Sequence, residues 1–346
     1  MKKQSLAVAV ALCLLGGAAA QADDTVRKTS GEQIKCSVKS VDKDGVVIEK
    51  GGKEEQLKAY EVDSIRFDGE PAKMLQVRLQ INNGGYENAL KGMESVTADS
   101  LERKEAKTEL DFLKAYCNAR LALGGSVDVA EAGKLMVDFV SKHGDSYHYY
   151  QANELLGDML VAAGRYDNAA DYYAKLANSP YDEYKIRAGV AVGRARLAEK
   201  KYPEAMKEFD TALSLAEKSS GGAAESAKES ALIGKASCLA ETGKPDDGIK
   251  LVDEVIAKLP PEEVDLHARA YVAQGNCYAK KPDNAKRALI SFLHVDVLYF
   301  SNSQAHAEAL WNLARLWNDI GKPERAVQAT SLLKERYPNS PWAKQL

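Results

Sequence analysis

Leu155 to Leu176 reads LLGDMLVAAGRYDNAADYYAKL. It contains no Ser, His or Cys, yet Gly157, Gly164, Tyr166, Ala169 and Tyr173 stand at spacings that demand a reason. Packing supplies one. Apolar residues recur at helical intervals on both sides of Gly164, and a glycine there can end a first helix in the left-handed conformation at no Cβ cost. Gly157 and Ala169 are small enough for two antiparallel helices to cross closely. Leu156, Leu160, Tyr166 and Tyr173 then fill the space between the helices and toward the next pair.

The pattern recurs along the chain. Gly84-Gly85-Tyr86-Glu87-Asn88-Ala89 opens the series, and Lys201-Tyr202-Pro203-Glu204-Ala205 leads to Phe209. Gly243 to Gly248 leads to Val252, Lys281 to Asn284 leads to Ala288 and Phe292, and Gly321 to Ala326 leads to Leu333. Ala169, Ala205, Gly248, Ala288 and Ala326 mark a period of roughly 40 residues, the long end of helix-turn-helix repeats. Pro203, Pro245 and Pro323 suit the first turn of a second helix, where the missing N–H is not needed. KSSGGAAES (Lys218 to Ser226) reads as a polar loop insertion in the widest gap, and the copy around Leu110 to Val140 is barely recognisable.

On these residues, 71–346 resembles tetratricopeptide-repeat proteins, with about seven units. "GNCYAKKPDNAKRALISFLHV" and "ERYPNSPWAKQ" are similar to the branch found in bacterial envelope proteins. The resemblance implies a mainly α fold, an α-solenoid of stacked hairpins held together by neighbour contacts. It also implies a groove that binds a partner protein or peptide, in envelope or secretion-related assembly. The family's register places Glu154, Asp158, Arg187, Arg194, Arg269, Asn276, Trp311, Asn312 and Arg315 in that groove. Trp311 can alternatively pack against Trp317 or Trp342. The Lys/Asn pattern with which some relatives clamp a terminal carboxylate is not reproduced.

Residues 23–70 have another texture. Ile34, Cys36 and Val38 alternate with Lys35, Ser37 and Lys39 as in a half-buried strand. Asp44-Gly45 and Gly51-Gly52 turn the chain between Val46-Val47-Ile48 and Gln56-Leu57-Lys58, and Ser64 to Phe67 closes the set. The segment resembles SH3-like or Sm-like barrels, so a small all-β domain is expected in front of the solenoid. Residues 1–22 read as a signal peptide: MKK, the apolar run Leu6 to Leu15, and Ala20-Gln21-Ala22 as cleavage site. Leu12 before Cys13 argues against lipidation. The expected compartment is the periplasm, or the exterior if the chain travels further.

The net charge of −3 becomes about −5 without Lys2 and Lys3, with both signs mixed along the chain, which excludes the basic footprint of a nucleic-acid binder. No later apolar run reaches membrane length, so no membrane insertion of the mature chain is expected. A partner anchored in the cell wall or outer membrane fits the compartment. Cys36, Cys117, Cys238 and Cys277 show no zinc spacing. No H-E-x-x-H, G-x-S-x-G, G-x-G-x-x-G or P-loop occurs, so neither enzyme activity nor cofactor nor metal is expected. A second reading, a cell-wall or carbohydrate-binding module, rests on Tyr147, Tyr149 and Tyr150, whose rings could stack a sugar.

Overall fold

The computed structural model describes residues 24–219 and 222–346. Residues 1–22, read above as a signal peptide, lie outside the described residues. Five strands come first: β1 (Asp24–Lys28), β2 (Gln33–Asp42), β3 (Gly45–Lys50), β4 (Lys53–Lys58) and β5 (Val62–Arg66). They form one antiparallel sheet in the order β4-β3-β2-β1-β5. The alternation in β2 turns Ile34, Cys36 and Val38 inward, and Val26 sits opposite both Ile34 and Ile65. β4 and β5 remain unpaired edges among the described residues, so the sheet is bent but not closed into a barrel. Buried Asp24 ties it to the helices. Its carboxylate accepts from Val38 N at 2.8 Å, Asp68 N at 2.9 Å and Arg103 Nη1 at 2.8 and 3.0 Å.

Fourteen α-helices follow among the described residues, arranged as seven hairpins. These are α1 (Ala72–Asn82) with α2 (Tyr86–Glu94), α3 (Lys104–Gly124) with α4 (Val129–Lys142), and α5 (Tyr149–Ala162) with α6 (Tyr166–Ala177). Then come α7 (Asp182–Ala198) with α8 (Tyr202–Ala216), α9 (Gly222–Glu241) with α10 (Pro245–Ile256), α11 (Val264–Ala279) with α12 (Ala285–Leu298), and α13 (Ser303–Asp319) with α14 (Pro323–Arg336). The mainly α solenoid behind a small β unit is therefore the observed class. One local reading changes: α9 already begins at Gly222, and Ala224 and Ala227 are buried, so the second half of the supposed loop insertion is helix.

Gly164 has φ 71°, as its helix-ending place requires. Gly157 works differently from the crossing with Ala169. A Cβ on it would lie 2.3 Å from the ring of Tyr173, so the glycine makes room for that ring. Gly193 and Gly234 do the same for Phe209, at 2.6 and 2.2 Å, and Gly275 for Phe292, at 2.7 Å. One rule thus repeats: a glycine in the first helix of a hairpin receives an aromatic ring from a second helix. The three rings are fully buried, each worth roughly 1.5–3 kcal/mol of transfer free energy.

The first helices of the hairpins form a circuit. α3, α5, α7, α9, α11 and α13 touch in that order, and α13 returns to α3. The return is made without spare room. A Cβ on Gly124 would lie 2.3 Å from Ser303 Cβ, and one on Gly125 (φ 86°) 2.3 Å from the Ser340 nitrogen. Asn339 N donates to Gly125 O at 2.8 Å, and Ser126 Oγ to Arg336 O at 2.9 Å. Arg120 of α3 adds an ion pair with Asp265 of α11 at 3.0 Å. The superhelix is latched on itself, so the circuit of first helices encloses its inner face as a channel.

Candidate functional site

One mouth of the channel opens into a cavity of about 590 Å³. The sheet contributes Asp63 and Ser64, the first hairpin Arg78, Asn82 and Tyr86, and α3 one whole face, from Glu109 through Phe112 and Tyr116 to Arg120. His148 and Gln151 come from the start of α5. Glu262 to Asp265 and Leu298, Phe300 and Ser301 reach in from the far side of the ring. The site therefore exists only because the ring is closed. A depression of about 670 Å³ is lined by one face of α8 and by Lys218 just after it, and gathers no groups from other elements.

The cavity floor is a buried polar network. Glu109 Oε2 accepts from Tyr147 OH and from His148 Nε2, both at 2.9 Å. Arg78 donates to both oxygens of Glu70, at 2.6 and 3.1 Å, and to Ile65 O at 2.7 Å, joining the first hairpin to the sheet. Its guanidinium lies 3.8 Å from Glu109 Oε1. Phe112 stacks on His148 with ring centroids 3.5 Å apart. Burial would push the Glu109 carboxyl up, but His148, Arg78 and Tyr147 together hold it below the ordinary carboxylate range. Asp63 at the rim goes the other way: burial and the nearby Glu109 raise it against the pull of Arg27. Two buried atoms of the floor, Glu109 Oε1 and Arg78 Nε, have no hydrogen-bond partner.

Behind the cavity the channel holds most of the anticipated groove residues, largely paired with one another. Arg187 pairs with Glu154, and Arg194 with Asp158 at 3.1 Å and with Glu154 at 3.8 Å. Asp158 also accepts from Tyr173 OH at 2.8 Å. Arg269 has only Ser230 Oγ, at 3.5 Å. Burial, with Arg194 close by, brings it down to about 10. Asn276 Nδ2 donates to Glu308 at 2.9 Å, and burial pushes that carboxyl up to about 6.

The remaining anticipated residues lie elsewhere. Asn312 is buried, and its Nδ2 donates back to Glu308 O. Trp311 packs on Trp342 with centroids 5.1 Å apart, and exposed Arg315 covers its ring at 4.5 Å. Tyr147 and Tyr150 are 5% and 3% exposed. The first bonds Glu109, at 2.9 Å, and the second Asp44 in the turn between β2 and β3, at 3.1 Å. Neither offers a free face for a sugar, and only Tyr149 stays partly exposed. Cys36, Cys117, Cys238 and Cys277 are all buried. Among the described residues no cluster could hold a metal ion, and no helix is long and apolar enough to cross a membrane.

Two family models, each described as tetratricopeptide repeat, match the chain at residues 121–183 and 308–340. No curated protein matches its sequence. Similar solved structures include a Rap protein complexed with competence and sporulation factor, at 14% identity over 79% of this chain and 76% of that one, TM-score 0.53. The apo form of RapI shares 12% identity over 79% and 96%, TM-score 0.51. A tetratricopeptide repeat protein from Parabacteroides merdae shares 16% identity over 79% and 95%, TM-score 0.47. At such identities the likeness is one of fold: the helices form a solenoid of tetratricopeptide-like hairpins.

Proposed function

We propose that this chain is a non-enzymatic scaffold that binds a segment of a partner protein at the mouth of its helical ring, in the cell envelope. The observation that carries this reading is the 590 Å³ cavity, assembled from the sheet, three hairpins and the returning end of the solenoid. A site built across so many elements is stiff, and its mixture of aromatic walls with a few converging polar groups is the usual composition of a binding pocket. The channel behind it is occupied by its own ion pairs, which leaves the mouth as the place for a ligand. A Rap protein of similar fold is complexed with competence and sporulation factor, and this supports the interaction reading by analogy of fold. The basic start, the apolar run and Ala20-Gln21-Ala22 support export.

The test is site-specific photo-crosslinking in intact cells. A crosslinker at exposed Asn82, on the cavity wall, is expected to capture a discrete partner. The same group at exposed Val327, on the outer helix α14, is not. Equal capture from both positions, or none from Asn82, would refute the assignment.

A further inference from the structure

The lining of the cavity is unbalanced in charge. Asp63, Glu109, Glu262, Glu263 and Asp265 face two guanidinium groups and His148. Both guanidinium groups are already committed, Arg78 to Glu70 and Arg120 to Asp265, and Asp63 is paired at the rim with Arg27 at 3.4 Å. Glu262 has no ion-pair partner among the described residues, and Glu263 meets only Ser226 Oγ at 3.4 Å. Acidic side chains alone do not make a site. Here, however, the floor carries a buried carboxylate, 1% exposed, whose Oε1 accepts no hydrogen bond. An acceptor left without a donor in such a place costs about 1–3 kcal/mol. Beside the acids, Leu298 and Phe300 line the same cavity while staying 59% and 49% exposed. Leu79, one helical turn before Asn82, is 53% exposed.

We infer that the cavity takes a basic side chain, lysine or arginine, flanked by apolar residues of an extended partner polypeptide. The cation enters between Asp63 and the Glu262–Glu263 pair and supplies donors to the acidic floor, while its neighbours cover Leu298 and Phe300. This deepens the reading above and rests on it. Charge complementarity chooses the occupant: an acidic segment would bring like charges against Glu262 and Glu263, which no cation neutralises among the described residues, and against Asp63, which shares only Arg27 at 3.4 Å, and an all-apolar one would leave them desolvated.

The experiment is a selection of random twelve-residue peptides displayed on beads, with the full mature chain as bait and Asn82→Trp, which plugs the mouth, as counter-bait. The expected pool is enriched in Lys and Arg over Asp and Glu, with apolar residues beside them. The strongest selected peptide should then bind about tenfold or more weakly to Asp63→Asn/Glu262→Gln/Glu263→Gln, from three exposed-pair terms of up to about 1 kcal/mol each. Its affinity for the wild type should fall with added salt. A pool enriched in acidic or uncharged peptides, or a triple variant that binds as well as wild type, overturns the cation assignment and leaves the peptide reading standing. No enrichment over the Asn82→Trp bait overturns both.

Discussion

Replacing Gly157 by alanine sets two effects of opposite sign against each other. Alanine in a helix interior gains about 1 kcal/mol over glycine from propensity alone. Yet the added Cβ would fall 2.3 Å from Tyr173 Cε1 and 2.7 Å from Cζ, inside any real contact distance. The ring cannot step aside cheaply, because Tyr173 is 1% exposed and its hydroxyl is held by Asp158 at 2.8 Å. Overpacking of this kind costs about 1–3 kcal/mol, and weakening a hydrogen bond to a charged acceptor adds about 1.5 kcal/mol or more. The expected net is a loss of about 2–3 kcal/mol. Tyr173→Leu alone should cost about 2–4 kcal/mol through its cavity. In the double variant the new methyl enters vacated space, so the summed loss should shrink by at least about 1 kcal/mol. Because repeat arrays can unfold piecemeal, the readout is amide exchange in α5 and α6, supported by urea melts. A Gly157→Ala protein as stable as wild type, or single effects that add within about 0.5 kcal/mol, would refute the glycine-for-ring rule.

Gly125→Ala strains a left-handed residue and drives a methyl into Ser340, so it should cost about 1–2 kcal/mol from φ alone and more from the clash. Exchange should quicken in α13 and α14, whereas Gly164→Ala, with open space around it, should show the φ cost only. The Glu308 carboxyl, raised to about 6 in the fold, disfavours the folded state once it is ionised. Glu308→Gln should therefore stabilise by about 2 kcal/mol at pH 8, with the difference vanishing in thermal melts below pH 4.5. Glu109 has the opposite sign: its lowered folded value gives stability that is present above the unfolded value of 4.5 and lost as pH falls through the folded one. Glu109→Gln should cost about 3–5 kcal/mol at neutral pH and flatten the acid side of the stability profile.

The repeat was legible because its signal is local. Gly164 with Tyr166, and Pro245 or Pro323 after a glycine, report turn geometry that depends on a few neighbours. Alternation in β2 was legible for the same reason, whereas β1 is too short and too polar for a pattern to stand out. The cavity was not legible. Its residues span Asp63 to Ser301 and meet only because the ring closes, which no local pattern encodes. The barely recognisable repeat turned out to be the informative one. α3 must face the sheet, the cavity and α13 at once, and those demands placed Glu109, Phe112, Tyr116 and Arg120 where a standard unit would carry its own packing residues. No motif marks His148, which is the buried donor to Glu109. Glu154, Asp158, Arg187, Arg194, Arg269 and Asn276 face the channel while Trp311, Asn312 and Arg315 do not, and the mutual neutralisation of Glu154, Asp158, Arg187 and Arg194 depends on contacts between hairpins that spacing cannot reveal.

Open solenoids behave as springs: a partner can stretch or wind them, and their outermost units fray first. The Gly124–Gly125 latch removes both properties from this molecule. To open anywhere, the circuit of inner helices must lose two interfaces together, so small fluctuations that would peel a terminal hairpin from a linear array return to the closed state. The pitch is no longer adjustable either. A partner arriving at the mouth meets a fixed bore, and the ordering cost that a flexible superhelix would incur on binding has already been met during folding.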